Sequence, residues 1–487
     1  MLLQDKNIKI YSYIYLAIPL LLFLGFWLDL PYMFGSICAL CYILYKIFSK
    51  MQNKQFEVEK KHFFWAIGIC LIWCIISGHG GLYYQNIPDW NIKNAVMHDL
   101  INYPWPVVYD NNVPLVYYFG IMLPGALLGK FMLQLGIGHD AAFNIANLGL
   151  LVWTTMGIFL TLLNLCFLTP KKKYKIFYIL LIMVFFSGLD ILIQHIQSPD
   201  IPFHIEWHFA DFQYSSNFTL TSFAYNHTIQ TWLIVSLFMS DIWDISKYGI
   251  LGAFALFCAP MPFIGLLGFF ILFTIADIYR EPINVFIQKV FDVKNILSLI
   301  LIVPFIYFYY KSSYVAYSNS IYIINFRPIS YILFVSYEAL VFGLIIWHKF
   351  YKNPLFYITM IILMICPILA IGPSRDLCMR ASIPALFVLM TLCINYLFIS
   401  SENNREKLMK YLLILCLLVG SVTPIWEIYR GIKNVYIIRG PIMPKDYVKT
   451  LNNRIAEDNQ WVEYVGQYNN YGCIKPEKFI FWKYFAR

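Results

Sequence analysis

Apolar residues in this chain fall into blocks of about 18–22 positions, the length a helix needs to cross a hydrocarbon core. The blocks predict spans at 8–28, 31–49, 62–79, 113–135, 140–168, 176–197, 227–245, 249–279, 296–311, 328–348, 354–372, 381–400 and 410–427. Pro260 and Pro262 in "CAPMPF" divide the 249–279 block into two shorter helices. The expected fold class is therefore an all-α polytopic membrane protein with about 13–14 transmembrane helices. The period-two alternation of a membrane barrel is absent, which leaves a helical bundle as the spanning architecture. The expected organisation is a transmembrane domain over 1–427 and a short extracytoplasmic C-terminal tail over 428–487. The first apolar run starts near Ile8, is long, and lacks a small-x-small cleavage site, so it reads as a retained helix. No internal repeat is visible, which argues against an inverted-repeat transporter.

Composition agrees with the pattern. The 487 residues are 60% hydrophobic and 13% charged, about half the charge of a soluble domain. The net charge of +9 is spread over short connections, where it sets topology rather than binding nucleic acid. Lys46, Lys50, Lys54, Lys60 and Lys61 assign the second connection to the cytoplasm, and the N-terminus with it. Lys171, Lys172, Lys173, Arg280, Lys289 and Lys294 act in the same sense, as do "HKFYKN" and "NNREKLMK". Loops 80–112, 198–226, 312–327 and 373–380 then face the outside of the cytoplasmic (inner) membrane. The lysines at 171–173 also require that one segment between 113 and 168 does not cross fully. Most of the eleven cysteines lie in apolar helices, and no paired CxxC suggests a metal or redox site. Cys378 and Cys473 lie outside the predicted helices, where a disulfide could join them.

Three polar stretches interrupt the blocks. In "IPDWNIKNAVMHDLINYPWP", Asp89 is placed to cap a helix running from Trp90 to Asn102, which Pro104 ends. Asn91, Asn94, His98 and Asn102 share a polar face; Ile92, Val96, Met97 and Leu100 share the opposite one. That pattern predicts a helix lying flat at the membrane boundary, with Lys93 snorkelling to headgroups. Asp89 reads either as a plain N-cap or as a general base or metal ligand at the lip of a cavity.

The second stretch, "SPDIPFHIEWHFADFQYSSNFTLTSFAYNHT", alternates His204, Glu206 and His208, which an extended chain would align on one side. Its carboxylates suit Mg²⁺ or Mn²⁺ better than zinc, whose helical HExxH spacing is missing. Its histidines equally suit backbone hydrogen bonding in a folded loop. "NFT" and "NHT" also match the glycosylation sequon.

The third, "GPSRDLCMRAS", carries Arg375 and Arg380 with Asp376 beside the first. Arginines on the outer face oppose the positive-inside bias and suit a lipid phosphate, or else a structural ion pair. Arg327 in "NFRPIS" is a third such arginine.

With these stretches in place the chain resembles the GT-C superfamily of polytopic glycosyltransferases, which includes protein O-mannosyltransferases and aminoarabinose transferases. The resemblance rests on Asp89 in "IPDWNIKNAVMHDL", Glu206 and Asp211 in "HIEWHFADFQYSS", and Arg375 and Arg380 between late helices. It implies a membrane enzyme that transfers sugar from a polyprenyl-phosphate donor to an acceptor, with membrane lipid and the lipid-linked sugar as partners. Asp89, Glu206 and Asp211 would be its catalytic carboxylates, and Arg375, Arg380 and Arg327 would bind the donor phosphate. Trp90, Lys93, His98, His204, His208 and Gln213 would line the substrate, and Asp89 with Glu206 would hold any Mg²⁺ or Mn²⁺. The chain departs from that pattern in lacking an adjacent acidic pair in the first loop, and in having two extra helices before it. Two other readings compete: a polysaccharide polymerase or ligase using undecaprenyl-diphosphate glycans, and a transporter or flippase. A carrier should line a path at mid-membrane with its charges.

Overall fold

Where the apolar blocks run uninterrupted they are helical, because a backbone inside hydrocarbon must satisfy its own hydrogen bonds. The computed structural model describes residues 2–51, 53–85, 89–109, 112–170, 175–197, 204–207, 209, 212–313, 321–325, 327–371, 376–438, 450–451, 472–473 and 475–487. It is all-α, 78% helical, with three two-stranded ribbons among the described residues. Eight of its helices are long and apolar enough to cross a membrane, and three shorter apolar helices join them. This is the architecture of a multi-pass membrane protein.

The first half of the bundle contains α1 (Asp5–Trp27), α2 (Leu30–Ser49), α3 (Lys60–Ile76), α4 (Asp89–Asn102), α5 (Leu123–Gln134) and α6 (His139–Leu168). The chain continues with α7 (Lys175–Phe185), α8 (Asp190–Gln197), α9 (Asn217–Phe223), α10 (Tyr225–Ser240), α11 (Tyr248–Cys258) and α12 (Pro260–Arg280). Helix α6 is the central mast, packed against α1, α3, α5 and α10. Small residues let the backbones close up: a Cβ on Gly125 would stand 2.6 Å from the Ala146 carbonyl oxygen. The proline break expected in 249–279 falls at Ala259, between α11 and α12.

The structure corrects the expectation for the predicted span 113–135. That stretch is a short ribbon and a turn followed by the twelve-residue α5, about 18 Å long and too short to cross. The last turn of α5 lies beside the end of α4, where the Lys130 ammonium donates to the carbonyls of Ile101 and Tyr103. By length, α5 is the segment too short to cross, and the thirty-residue α6 is long enough to do so.

Helix α4, contrary to its wheel, does not lie flat on a surface. Lys93, Asn94, Val96, Met97, Asp99 and Leu100 are all buried, so both of its faces are covered. It also begins at Asp89 itself, which sits in the first turn rather than at the cap. The buried Asp99 carboxylate ties α4 down by accepting from the Tyr109 hydroxyl and the Leu451 backbone N–H, each at 2.9 Å.

The chain returns at its end to seal this side of the bundle. Gly472 bridges to Leu115 and Ala486 to Leu28, and the Phe481 ring packs on Phe23 and Tyr309. The boundary drawn at 427 falls inside the helix Val422–Ile438. No disulfide joins Cys378 to Cys473; Cys378 belongs to the helix Asp376–Ala381, and its thiol donates to the Gln213 carbonyl at 3.4 Å. The two sequons are inside the fold: Asn217 and Asn226 are buried.

One glycine joins α12 directly to the helix Asp376–Ala381. A Cβ on Gly265 of α12 would lie 1.9 Å from the backbone oxygen of Ala381, so α12 and the helix carrying Arg380 touch through their backbones. Gly265→Ala is expected to push that helix away at a cost of about 1–3 kcal/mol. A lowered melting temperature in detergent, absent from Gly35→Ala in open space, is the measurement that checks it.

Candidate functional site

The last carbonyls of a helix have no partner inside it, and at the end of α9 three consecutive ones are taken by side chains. The Thr221 carbonyl meets His79 Nε2 at 2.9 Å, Ser222 accepts from the Trp90 indole at 3.0 Å, and Phe223 accepts from Lys93 Nζ at 2.5 Å. Two of the three donors come from α4, so this end of α9 orients the first turns of α4. The Lys93 ammonium also stands over the rings of Trp90 and Tyr225, 5.2 and 4.8 Å from their centroids. An ammonium has three N–H groups; the Phe223 carbonyl takes one.

A second cation approaches the same place. Arg380 donates through Nη1 to the Tyr118 hydroxyl at 3.3 Å and pairs with Asp376 at 3.4 Å. The Tyr118 ring in turn packs against His227, their centroids 4.1 Å apart. Lys93 and Arg380 lie within each other's electric field. Burial brings the Lys93 ammonium down to about 8, Asp89 opposes that fall, and Arg380 adds to it. Asp89 is exposed, one helical turn before Lys93. A buried and a half-buried cation, aromatic rings and an accessible carboxylate thus share one end of the bundle. The arrangement is built to hold an anion and to place a base beside it.

Glu206 belongs to a different network at the other end of α9. Its carboxylate accepts from the Ser216 N–H at 2.9 Å and from Gln213 Nε2 at 3.2 Å. The seven residues of α9, about 10 Å of helix, separate it from the Lys93 end. Burial holds the Glu206 carboxyl above its usual value, against the pull of His204. His204 contacts Glu427 at 2.7 Å; burial works against its charge, but that contact and Glu206 raise it overall. Glu427 also accepts from Arg430 at 2.6 and 2.8 Å. Residues 205–207 form a single 3-10 turn, so the chain at Glu206 is not extended as the alternating pattern predicts.

The expected site residues therefore divide. Asp89, Trp90, Lys93 and Arg380 come together. His204, Glu206 and Gln213 form a second group, which adjoins the first: the His204 ring lies 5.7 Å from that of Phe223, and Glu427 and Arg430 line a cavity with Trp90. His98 sits in the second half of α4 against Asp99 at 3.0 Å, away from both. Arg327 is exposed, while His208, Asp211 and Arg375 lie outside the described residues. Among the described residues no three His, Cys, Asp or Glu side chains are grouped to hold a metal ion.

Two residues that the sequence left unselected belong to the first group: Tyr118 and His227. Tyr118 lies in "VYYF", one aromatic pair among 37 tyrosines, and nothing local distinguishes it. His227 stood among the polar residues of the second stretch and within its second sequon, and was not singled out as a site residue. No family model, no curated protein and no solved structure matches the chain.

Proposed function

We propose that this chain is a membrane glycosyltransferase that moves a sugar from a polyprenyl-phosphate carrier to an acceptor hydroxyl at the outer face of the cytoplasmic membrane. The observation that carries the reading is the convergence of buried Lys93 and half-buried Arg380 beside exposed Asp89. Breaking the bond between the sugar carbon and its phosphate oxygen leaves the electron pair, and a full negative charge, on the phosphate. Fixed cations in a desolvated site offset that charge as it develops. Asp89 takes the proton of the acceptor hydroxyl as its oxygen bonds to the sugar carbon. Glu206, Gln213 and Ser216 act at one remove: they hold the start of α9, whose far end meets Lys93. Lysine-rich connections belong on the cytoplasmic side under the positive-inside bias, which supports an outer site.

A second reading has one observation of its own. Asp190 and Glu338, buried within helices long enough to span, lie close enough to interact. Paired intramembrane carboxyls are a feature of ion-coupled carriers. A nanodisc has no second compartment, so it separates the readings. The purified protein in nanodiscs is expected to release undecaprenyl phosphate from at least one member of a panel of undecaprenyl-phosphate sugars. A carrier leaves every donor intact. Release of undecaprenyl diphosphate from diphosphate-linked glycans instead assigns the chain to the polymerase or ligase class.

A further inference from the structure

We infer that His227 donates a hydrogen bond to the phosphate group bound between Lys93 and Arg380. The inference rests on the proposed glycosyl transfer for the presence of a phosphate, and adds a ligand-touching residue that the transfer chemistry does not use.

Both ring nitrogens of His227 are left over by the fold. The residue is 1% exposed, and neither nitrogen has a hydrogen-bond partner among the described residues. A neutral imidazole carries one N–H donor and one acceptor, and leaving both unmade in a buried site is costly. Folding therefore does not account for a histidine here; the leucine or phenylalanine common in α10 would pack without that cost. Gln230, one turn further along α10, is fully buried with both amide atoms likewise unpartnered.

The surroundings define the chemistry that His227 faces. Its ring lies on Tyr118, the residue to which Arg380 donates. Lys93 and Arg380 are the two charged groups that act on it. Arg380 itself retains a buried Nε–H without a partner among the described residues. His227 also occupies the first turn of the sixteen-residue α10, whose dipole favours an anion. Two cations, an imidazole N–H and a guanidinium N–H match the oxygens of a phosphate ester. Neither a neutral sugar nor a cation would suit two fixed positive charges.

The test compares wild-type protein, His227→Leu and His227→Gln in nanodiscs, titrated with undecaprenyl phosphate and, in parallel, with inorganic phosphate. His227→Leu is expected to weaken binding of both probes by roughly ten- to a hundredfold, as losing a hydrogen bond to a charged group does. His227→Gln keeps an N–H and is expected to recover most of the affinity. The ligand-free His227→Leu protein should melt no lower than wild type, since the ring nitrogens hold nothing in the described fold. Unchanged affinity in His227→Leu overturns the inference, and so does a loss confined to undecaprenyl phosphate, which would place the contact on the lipid. Wild-type protein that binds neither probe overturns the anion site itself, a different result from a histidine that does not matter. Should His227→Leu fail to fold, ¹⁵N-histidine spectra of the wild type decide: no ring nitrogen moving with undecaprenyl phosphate removes His227 from the site.

Discussion

Lys93→Met is expected to yield a protein that folds about as well as its parent and transfers sugar roughly a hundred- to a thousandfold more slowly, the usual cost of removing one charge-stabilising group. The folding half of this rests on two opposing terms. The depression of Lys93 from 10.5 to about 8 corresponds to roughly 3 kcal/mol against the charged form in the folded state. The bond from Lys93 to the Phe223 carbonyl offsets much of that, at about 1.5–3 kcal/mol for a charged donor. Methionine removes both and fills similar space.

The same displacement sets the pH dependence. Between about 8 and 10.5 the unfolded chain carries a proton on this lysine that the folded chain has lost. Stability from this group therefore rises with pH across that window and is lost again as pH falls through about 8. Anion binding runs the other way and weakens above about pH 8, because the neutral amine no longer attracts phosphate. Equilibrium binding of undecaprenyl phosphate from about pH 6.5 to 9.5, a range that brackets the Lys93 transition, checks this. An affinity flat across the range in wild type, or a Lys93→Met variant with full transfer rate, removes Lys93 from the site.

Asp89→Asn is the second change with a large expected effect, and it separates chemistry from binding. Asp89 is exposed, so the swap of one oxygen for nitrogen leaves the packing of α4 untouched. Loss of a general base is expected to slow transfer by about 10²–10⁴ while the affinity for undecaprenyl phosphate changes little. Removing the negative charge beside Lys93 also lowers that lysine further, since Asp89 supports its protonation; the fall in phosphate binding with pH should begin earlier. Full transfer rate in a properly inserted Asp89→Asn protein would identify the aspartate as a helix-start residue and nothing more.

The part of the site legible in the sequence is uneven, and the reasons are physical. Asp89, Trp90 and Lys93 could be chosen because a polar interruption between apolar blocks is conspicuous, and Arg380 because an outer arginine is costly. What could not be read is which side of α4 is buried. A wheel separates polar from apolar faces, yet α4 covers both: its apolar face packs into the bundle, and its polar side meets other buried groups, such as Asn94 donating to Gln85 at 2.8 Å. Glu206 stood out as the acid beside two histidines, and the fold gives it the start of α9 instead. His227 needed the converse knowledge, namely that nothing among the described residues takes its nitrogens.

The sequence by itself determined the solvent this protein is built for and the elements that cross it. Block length, missing charge and the basic connections follow from local hydropathy, and hydrocarbon tolerates few alternatives to a helix. Only the tertiary structure decided which block stops short, because the apolar run over 113–135 is helical for only twelve residues of α5. It alone also brought α4, the end of α9, the start of α10 and the helix of Arg380 to one place. Those four segments are far apart in the chain, and a cation's value as an anion ligand depends on its burial and its neighbours, which no local pattern encodes.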